Sequence, residues 1–333
     1  MSNEMTLPLK ELVQKSAIDN TSLPNSIMSR QQSDRFIDLV IDHSVLMKSV
    51  RVRRVNHPKG EINKLNLGSI VTEGAHTTSR ATTRTPTEDV VPYDMAKYRS
   101  AFDLGGDFVE DNIEGSGIRD TLLSMFTKRI SVDTEIAGIE SDLTLAVGDA
   151  QSDENNLLGV NEGWQRILEA NVPAAQQVDA AGAAPSKELY YAMKRAIPAR
   201  FRVAMPDYRW ITPSGPFDKN MLDWSHRETQ GGDRALADGS HPGPWGINML
   251  EVPLMPEDLS YGTAGTDGSQ IWLTPLQNLI VFIQREFTLE VERKPRQDKF
   301  EFTIHFRLDF AIEDPAMVVI ADNVSLSGND YTA

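Results

Sequence analysis

The chain has 333 residues and a net charge of −15, with 40% hydrophobic and 24% charged residues. That is the composition of a soluble globular protein, too long for one compact core and long enough for two domains or one domain with large excursions. The absence of cysteine excludes disulfides, thiol nucleophiles and thiolate metal sites, the acidic balance argues against sequence-specific DNA recognition, and no apolar run approaches the ~20 residues that cross a bilayer.

Residues 1–47 are polar and irregular. Leu7, Leu9, Leu12 and Val13 suit a short amphipathic helix, which Asn20 to Pro24 then breaks. Two readings stand open here: a frayed terminus, or an arm that orders only against another subunit. No signal pattern precedes it, so synthesis and assembly are expected in a cytoplasm. Val50 to Ile70 is strand-like, and Thr72 to Thr87 is nearly all polar. Such a stretch buries too little to pack alone, so 48–100 reads as a long hairpin excursion. Lys48, Arg51, Arg53, Arg54, Lys59 and Lys64 form the one local basic cluster of an acidic chain. They make a solvated strand face or an arm lying across an acidic neighbour; as candidate functional residues they are assigned to inter-subunit contact.

Val91 to Val109 continues in short apolar runs. A long helix follows, with Ser116 as N-cap and Asp120 in its first turn. Ile118, Leu122, Met125, Val132, Ile136, Ile139 and Leu143 follow steps of four and three, with Arg129 in the one slot that is not apolar, and Leu123, Phe126, Ile130 and Ala137 broaden the face. About 27 residues at 1.5 Å each make a rod of roughly 40 Å. Gly148 to Gly163 reads as a loop and Pro173 to Pro185 as an exposed segment. Ser186 caps a helix stopped by Pro198, Tyr208 to Thr212 is a strand, and Asp218 to Trp224 is a helical turn. Gln230 to Trp245 is a second large loop, and Ile247 to Val252, Ile271 to Leu273 and Leu279 to Ile283 are strands. Residues 151–270 therefore form an α+β insertion.

From Phe300 to Ile312 the chain alternates strictly: Phe300, Phe302, Ile304, Phe306, Leu308, Phe310 and Ile312 are apolar, with polar residues between them up to Asp309. Phe287, Leu289 and Val291 alternate likewise upstream, and Arg293 to Lys299 is a polar loop broken by Pro295. This predicts a long antiparallel ribbon of about 43 Å with one buried and one wet face. The rod near the middle matches it in length and is expected to lie along it. Asp322 and Asn323 read as a turn.

Catalytic signatures are missing. No phosphate-binding loop, nucleophile elbow or HExxH pattern occurs, and no two of His43, His57, His76, His226, His241 and His305 stand at metal-ligand spacing. The chain is therefore read as a non-enzyme with no catalytic, cofactor-binding or metal residues, and no cofactor is expected. One enzymatic alternative is a hydrolase site in the 215–245 loops, built from His226 or His241 with Asp223 or Asp238.

In this order the parts resemble the tailed-bacteriophage major capsid proteins of the Hong-Kong-97-type fold. Val91-Pro-Tyr-Asp-Met-Ala-Lys-Tyr98 and Phe108-Val-Glu-Asp-Asn112 are similar to the family's stretch before its spine helix. Leu145-Ala-Val-Gly-Asp149 with Leu158-Gly-Val-Asn-Glu-Gly163 is similar to the passage after it. Trp245-Gly-Ile-Asn-Met-Leu-Glu-Val-Pro253 resembles the exit from the lobe. Leu273-Thr-Pro-Leu-Gln-Asn-Leu-Ile-Val281, Arg307-Leu-Asp309 and Glu313-Asp-Pro-Ala-Met-Val-Val319 resemble the terminal ribbon. The resemblance implies an α+β capsid fold: N-terminal arm 1–47, extended hairpin 48–100, peripheral domain 101–150 and 271–326, axial domain 151–270 and tail 327–333. It implies a virion shell subunit assembling as hexamers and pentamers around double-stranded DNA, with portal, scaffolding or decoration proteins as partners and no membrane. An encapsulin-like compartment or a phage ring or tail protein is the alternative. Some members crosslink a hairpin lysine to an asparagine on a neighbour; Lys59 and Lys64 are hairpin lysines here, but no local motif transfers that chemistry.

Overall fold

A computed structural model of the chain describes residues 44–66, 87–105, 118–226, 243–259, 268–284 and 288–325. The expected Ser116 cap, the threonine-rich stretch and most of the arm lie outside them.

After a turn at 44–50, β1 (Arg51–Val55) leads into the hairpin β2 (Lys59–Asn66) and β3 (Thr87–Asp94), which pair antiparallel from Lys59↔Asp94 to Asn66↔Thr87. Strand β4 (Ala96–Gly105) follows, then the long helix α1 (Ile118–Glu140). The second lobe comprises α2 (Asp153–Leu158), α3 (Trp164–Asn171), β5 (Gln177–Asp179), α4 (Lys187–Ala196), β6 (Tyr208–Thr212), α5 (Ser214–Ser225) and β7 (Met249–Glu251). The chain closes with β8 (Gly268–Pro275), β9 (Leu279–Gln284), β10 (Thr288–Lys294), β11 (Lys299–Ile312) and β12 (Val319–Ser325).

The ribbon is the backbone of the first sheet. β10 and β11 pair antiparallel from Thr288↔His305 to Lys294↔Lys299, and β4 lines the other edge of β11 from Gly105 to Ala96. β9 takes over at Leu308 to Ile312 and pairs in parallel with β1. The predicted alternation holds from Phe300 to Leu308. From Asp309 to Ile312 both faces are buried, because Val91, Met95, Ile280, Phe282 and Ala311 form a small second core over the far side.

The helix lies along the ribbon, as its length predicted. Phe126 stacks on Phe102 at 3.6 Å, and Phe102 stacks on Phe302 at 4.5 Å. Further along, a Cβ on Gly138 would stand 3.0 Å from Phe310. The buried face follows the marked one in part: Ile130, Ala137 and Ile139 are buried and Phe126, Val132 and Ile136 partly so, while small polar residues replace the rest. Met125 and Leu143 are exposed, while Thr127, Ile130, Ser131, Thr134, Ala137 and Ile139 are buried. The ribbon supplies the bulk through its phenylalanines, so the helix approaches closely with small residues. The Thr134 hydroxyl meets its own need by donating to the Ile130 carbonyl at 2.6 Å.

The second sheet has the order β5-β12-β8-β6-β7. Two of its strands, β8 and β12, come from outside the 151–270 insertion except for the start of β8, so the lobe's sheet is completed by the returning chain. Three local expectations fail. Ser152 accepts a hydrogen bond from the Asn155 amide at 3.1 Å and starts the short helix α2 inside the expected loop. Residues 177–179 are a strand paired with β12, and buried Gln176 donates to the Ala316 and Val318 carbonyls, so 173–185 is not simply exposed. Asp322 and Asn323 form an irregularity inside β12, with Asn323 at φ 55, and not a terminal turn. Asn tolerates that left-handed conformation, which is why the pair imitates a turn in sequence.

Candidate assembly surfaces

Three features bear on assembly: the hairpin and its foot, the turn at 44–50, and a cleft on the lobe.

The foot of the hairpin is fastened to the end of the ribbon. Arg51 pairs with Glu313 at 2.6 Å, and Lys64 reaches Asp314 at 3.3 Å and the Glu313 carbonyl at 3.3 Å. Asn278 exchanges two hydrogen bonds with the Asp314 backbone, at 2.9 and 3.1 Å, and holds that corner in place. Buried Asp309 accepts the Asp94 amide at 2.8 Å, locking β3 to the sheet from the other side. Of the six basic residues assigned to contact with neighbours, the structure thus commits Arg51 and Lys64 to this chain's own corner. Lys59 pairs across the hairpin with Asp94 at 2.7 Å. Lys48, Arg53 and Arg54 stand exposed. Each corner pair is partly exposed and stabilises by at most about 1 kcal/mol. Lys64→Ala is therefore expected to change global stability little while raising amide exchange in 59–66 severalfold, measured by hydrogen exchange.

The turn at 44–50 is anchored by Glu135, which no sequence pattern singles out. It is buried in α1 and accepts from the Ser44 hydroxyl, the Val45 amide at 2.9 Å and the Leu46 amide at 3.0 Å. It stands at the start of a helical turn, where backbone amides lack partners and negative charge is favoured. Leu46 and Met47, so fixed, join the main core beside Trp164. Only the packing reveals the role, since the partners are 89–91 residues apart in sequence.

At its far end α1 meets the lobe. Glu140 is raised from its usual 4.5 to about 7 by burial, with Asp258 and Glu154 adding repulsion. The folded chain thus holds this proton more tightly than the unfolded chain. Between pH 4.5 and 7 its contribution to stability falls as pH rises, and the penalty is fully present above 7. Glu140→Gln is expected to be more stable than the parent at pH 8, with the gap closing towards pH 4.5, as read from denaturation midpoints.

The lobe's outer face carries a cleft of about 330 Å³ walled by Tyr190, Trp224, Pro244 and Trp245, with Asn220 and Asp223 on its lining. The hydrolase alternative would draw on this region. His226 is exposed at the end of α5, Asp223 is held by Lys219 at 2.7 Å, and His241 and Asp238 lie outside the described residues. Among the described residues no group of three His, Asp or Glu side chains is placed to hold a metal, and no helix is long and apolar enough to cross a membrane.

No protein-family profile matches the chain. Its sequence is 23% identical over 314 residues to YqbE of Bacillus subtilis (strain 168), a protein ascribed to a prophage capsid, covering 92% of this chain and 95% of that one. Its structure superposes on a chain of the satellite phage P4 procapsid with a TM-score of 0.66 at 15% identity, over 95% of this chain and 96% of that one. The chain has the Hong-Kong-97-type capsid fold. A chain from the capsid of an empty GTA particle also shares it, at TM-score 0.56 and 12% identity over 85% and 90% of the two chains. So does a chain of the SrpI encapsulin complex of Synechococcus elongatus PCC 7942, at 0.54 and 11% over 86% and 90%.

Proposed function

We propose that the protein is the major capsid, or head, protein of a tailed phage, assembling as hexamers and pentamers into an icosahedral shell that encloses double-stranded DNA. The observation that carries this reading is a double one: likeness to a prophage capsid protein in sequence and to a procapsid subunit in structure each spans more than nine-tenths of the chain. The physics supports it. A shell subunit works through surface, with slender parts that gain stability only beside sibling copies. In its described residues the hairpin is a two-stranded sheet of its own, joined to the main sheet through Lys64, Asp94 and the Val91–Phe282 packing. We assign the arm to 1–47, the hairpin to 48–100, the peripheral domain to 101–150 with β9 to β11, and the axial domain to 151–270 extended by β8 and β12. Exposed Lys48 and Arg53 are assigned to contacts with neighbours, and a net charge of −15 would keep packaged DNA from sticking to the wall. The role is structural, the place is the virion, assembly occurs in the host cytoplasm, and portal, scaffolding or decoration proteins complete the particle.

Electron microscopy of the purified protein tests the reading: closed shells or capsomers are expected, and a discrete monomer at high concentration would refute it. The encapsulin neighbour keeps a second reading in view, a protein compartment. Nuclease-protected double-stranded DNA in particles from infected or induced cells supports the head protein; particles loaded with enzyme and free of DNA support the compartment.

A further inference from the structure

The face of the second sheet that α3 covers carries a group of carboxylates. Along β12 the side chains alternate. Val318 and Ile320 join the main core with Trp164, Leu168 and Val172, while Val319 and Ala321 join the core beside Tyr190 and Met193 of α4. Asp322 therefore falls on the α3 side. Its partner in the parallel pairing of β12 with β5 is Asp179, and like charges set side by side weaken a sheet. Glu169, next to Leu168, brings a third carboxylate from α3 itself. It accepts from the Gln270 amide at 2.6 Å and from Arg166 at 3.2 Å.

Positive charge at this seam is already engaged. Arg166 also pairs with Asp142 at 2.6 Å, at the end of the long helix. Lys187, Glu188, Lys194 and Arg195 belong to α4, which packs on the opposite face of β12. Asp179 has two donors, the Ala181 amide at 2.7 Å and the Asn323 side chain at 3.3 Å. Asp322 is less well served: one of its carboxylate oxygens is buried with no hydrogen-bond partner. Burial first, then the charges of Glu169 and Asp179, raise Asp322 from 3.8 to about 6, against a hydrogen bond from Gln270.

The same residue closes the edge of the sheet. The Ala180 amide donates to the Asp322 carbonyl and the Gly182 amide to the Asn323 carbonyl, both at 2.9 Å, so the turn after β5 is stitched to β12 where its register breaks. Ala181 is held at φ 54 within that stitch, a conformation that resists any residue but glycine. We propose that the seat of α3 on this edge is an acid-closed joint: protonated Asp322 lets helix, β5 and β12 clamp together, and ionised Asp322, repelled by Glu169 and Asp179, lets the β5 edge open. The sign follows from the raised group. Between pH 3.8 and about 6 the joint loses stability as pH rises, and above 6 the loss is complete. Because α3 also plants Trp164 in the main core, the joint sets how firmly the lobe's sheet is tied to the long helix and the ribbon. The inference does not depend on the shell reading.

Hydrogen exchange on the full chain tests this, with rates corrected for the intrinsic effect of pH. The Ala180 and Gly182 amides report the edge. The Trp210 amide, which donates to the Asn248 carbonyl at 3.0 Å elsewhere in the sheet, is the reference. Glu140 titrates away from this edge and shifts global stability, which moves all three amides alike, so their ratio isolates the joint. In the parent, protection of Ala180 and Gly182 relative to Trp210 should fall about five- to tenfold from pH 5 to pH 8. Asp322→Asn, close in shape and unable to ionise, should show one ratio at both pH values. Glu169→Gln removes the strongest repelling charge and should shrink the fall. A parent ratio that does not change with pH overturns the proposal. So does a fall of parental size in either variant.

Discussion

Glu135→Ala is expected to lower the unfolding free energy by about 3–4 kcal/mol and to release the chain before residue 50 from the spine helix. The carboxylate is 1% exposed and accepts three hydrogen bonds from Ser44, Val45 and Leu46. Bonds to a charged group contribute roughly 1.5–3 kcal/mol each, and truncation leaves buried donors without an acceptor. The Met47 amide depends on the same arrangement, since it donates to the Ser44 hydroxyl at 3.0 Å. Glu135→Gln keeps one acceptor oxygen and should cost about half as much. Urea denaturation measures both values. Loss of amide protection at Val45 and Leu46 in Glu135→Ala, with the ribbon still protected, would identify the cause as the turn and not a general loosening. A cost below 1 kcal/mol would mean that water replaces the carboxylate and that the arm is held by Leu46 and Met47 alone.

Trp164→Ala is expected to cost about 4 kcal/mol, the range for emptying a large buried aromatic site. Trp164 is fully buried where α3, the spine helix and the ribbon converge. Its indole N–H donates to the Ala311 carbonyl at 3.2 Å, and its ring meets Phe310 edge-on at 5.3 Å. The preceding Gly163 allows the approach: a Cβ there would stand 2.6 Å from the Ile139 carbonyl and 2.7 Å from the Ser141 amide. Its own amide donates to the Ser141 carbonyl at 2.8 Å. Gly163→Ala should therefore also destabilise, by forcing the start of α3 away from the end of α1. Trp164→Phe keeps most of the packing and loses the hydrogen bond, so its cost should fall near 1–2 kcal/mol. Fluorescence-detected unfolding of these variants orders the three effects. Because a loss of this size multiplies the unfolded fraction hundreds-fold, particle yield should drop with it.

The ribbon was legible because its alternation is local. A strand half-covered by packing needs an apolar residue at every second position, and Phe300 to Leu308 obeys that rule without outside help. The rod was legible for the same reason, since 118–140 is long and free of proline and the residues that fill it suit a helix. Which of its faces would be buried was legible in part. The pattern marked Ile130, Ala137 and Ile139, which are buried, but also Met125 and Leu143, which are exposed; the partner surface already held the volume, and close approach added Thr127, Ser131 and Gly138. The basic cluster was visible as composition, yet only distances separate Arg51 and Lys64, spent on the Glu313–Asp314 corner, from the exposed Arg53 and Lys48.

Residue order by itself determined an α+β chain with a long helix, a long terminal ribbon, a projecting hairpin and an intervening lobe, since each announces itself through period, breakers and composition within a few dozen neighbours. Tertiary structure alone decided that β8 and β12 complete the lobe's sheet and that Glu135 grips the turn at 44–46. Those arrangements join residues tens to hundreds of positions apart. Their free energy comes from desolvated contacts that no local pattern encodes.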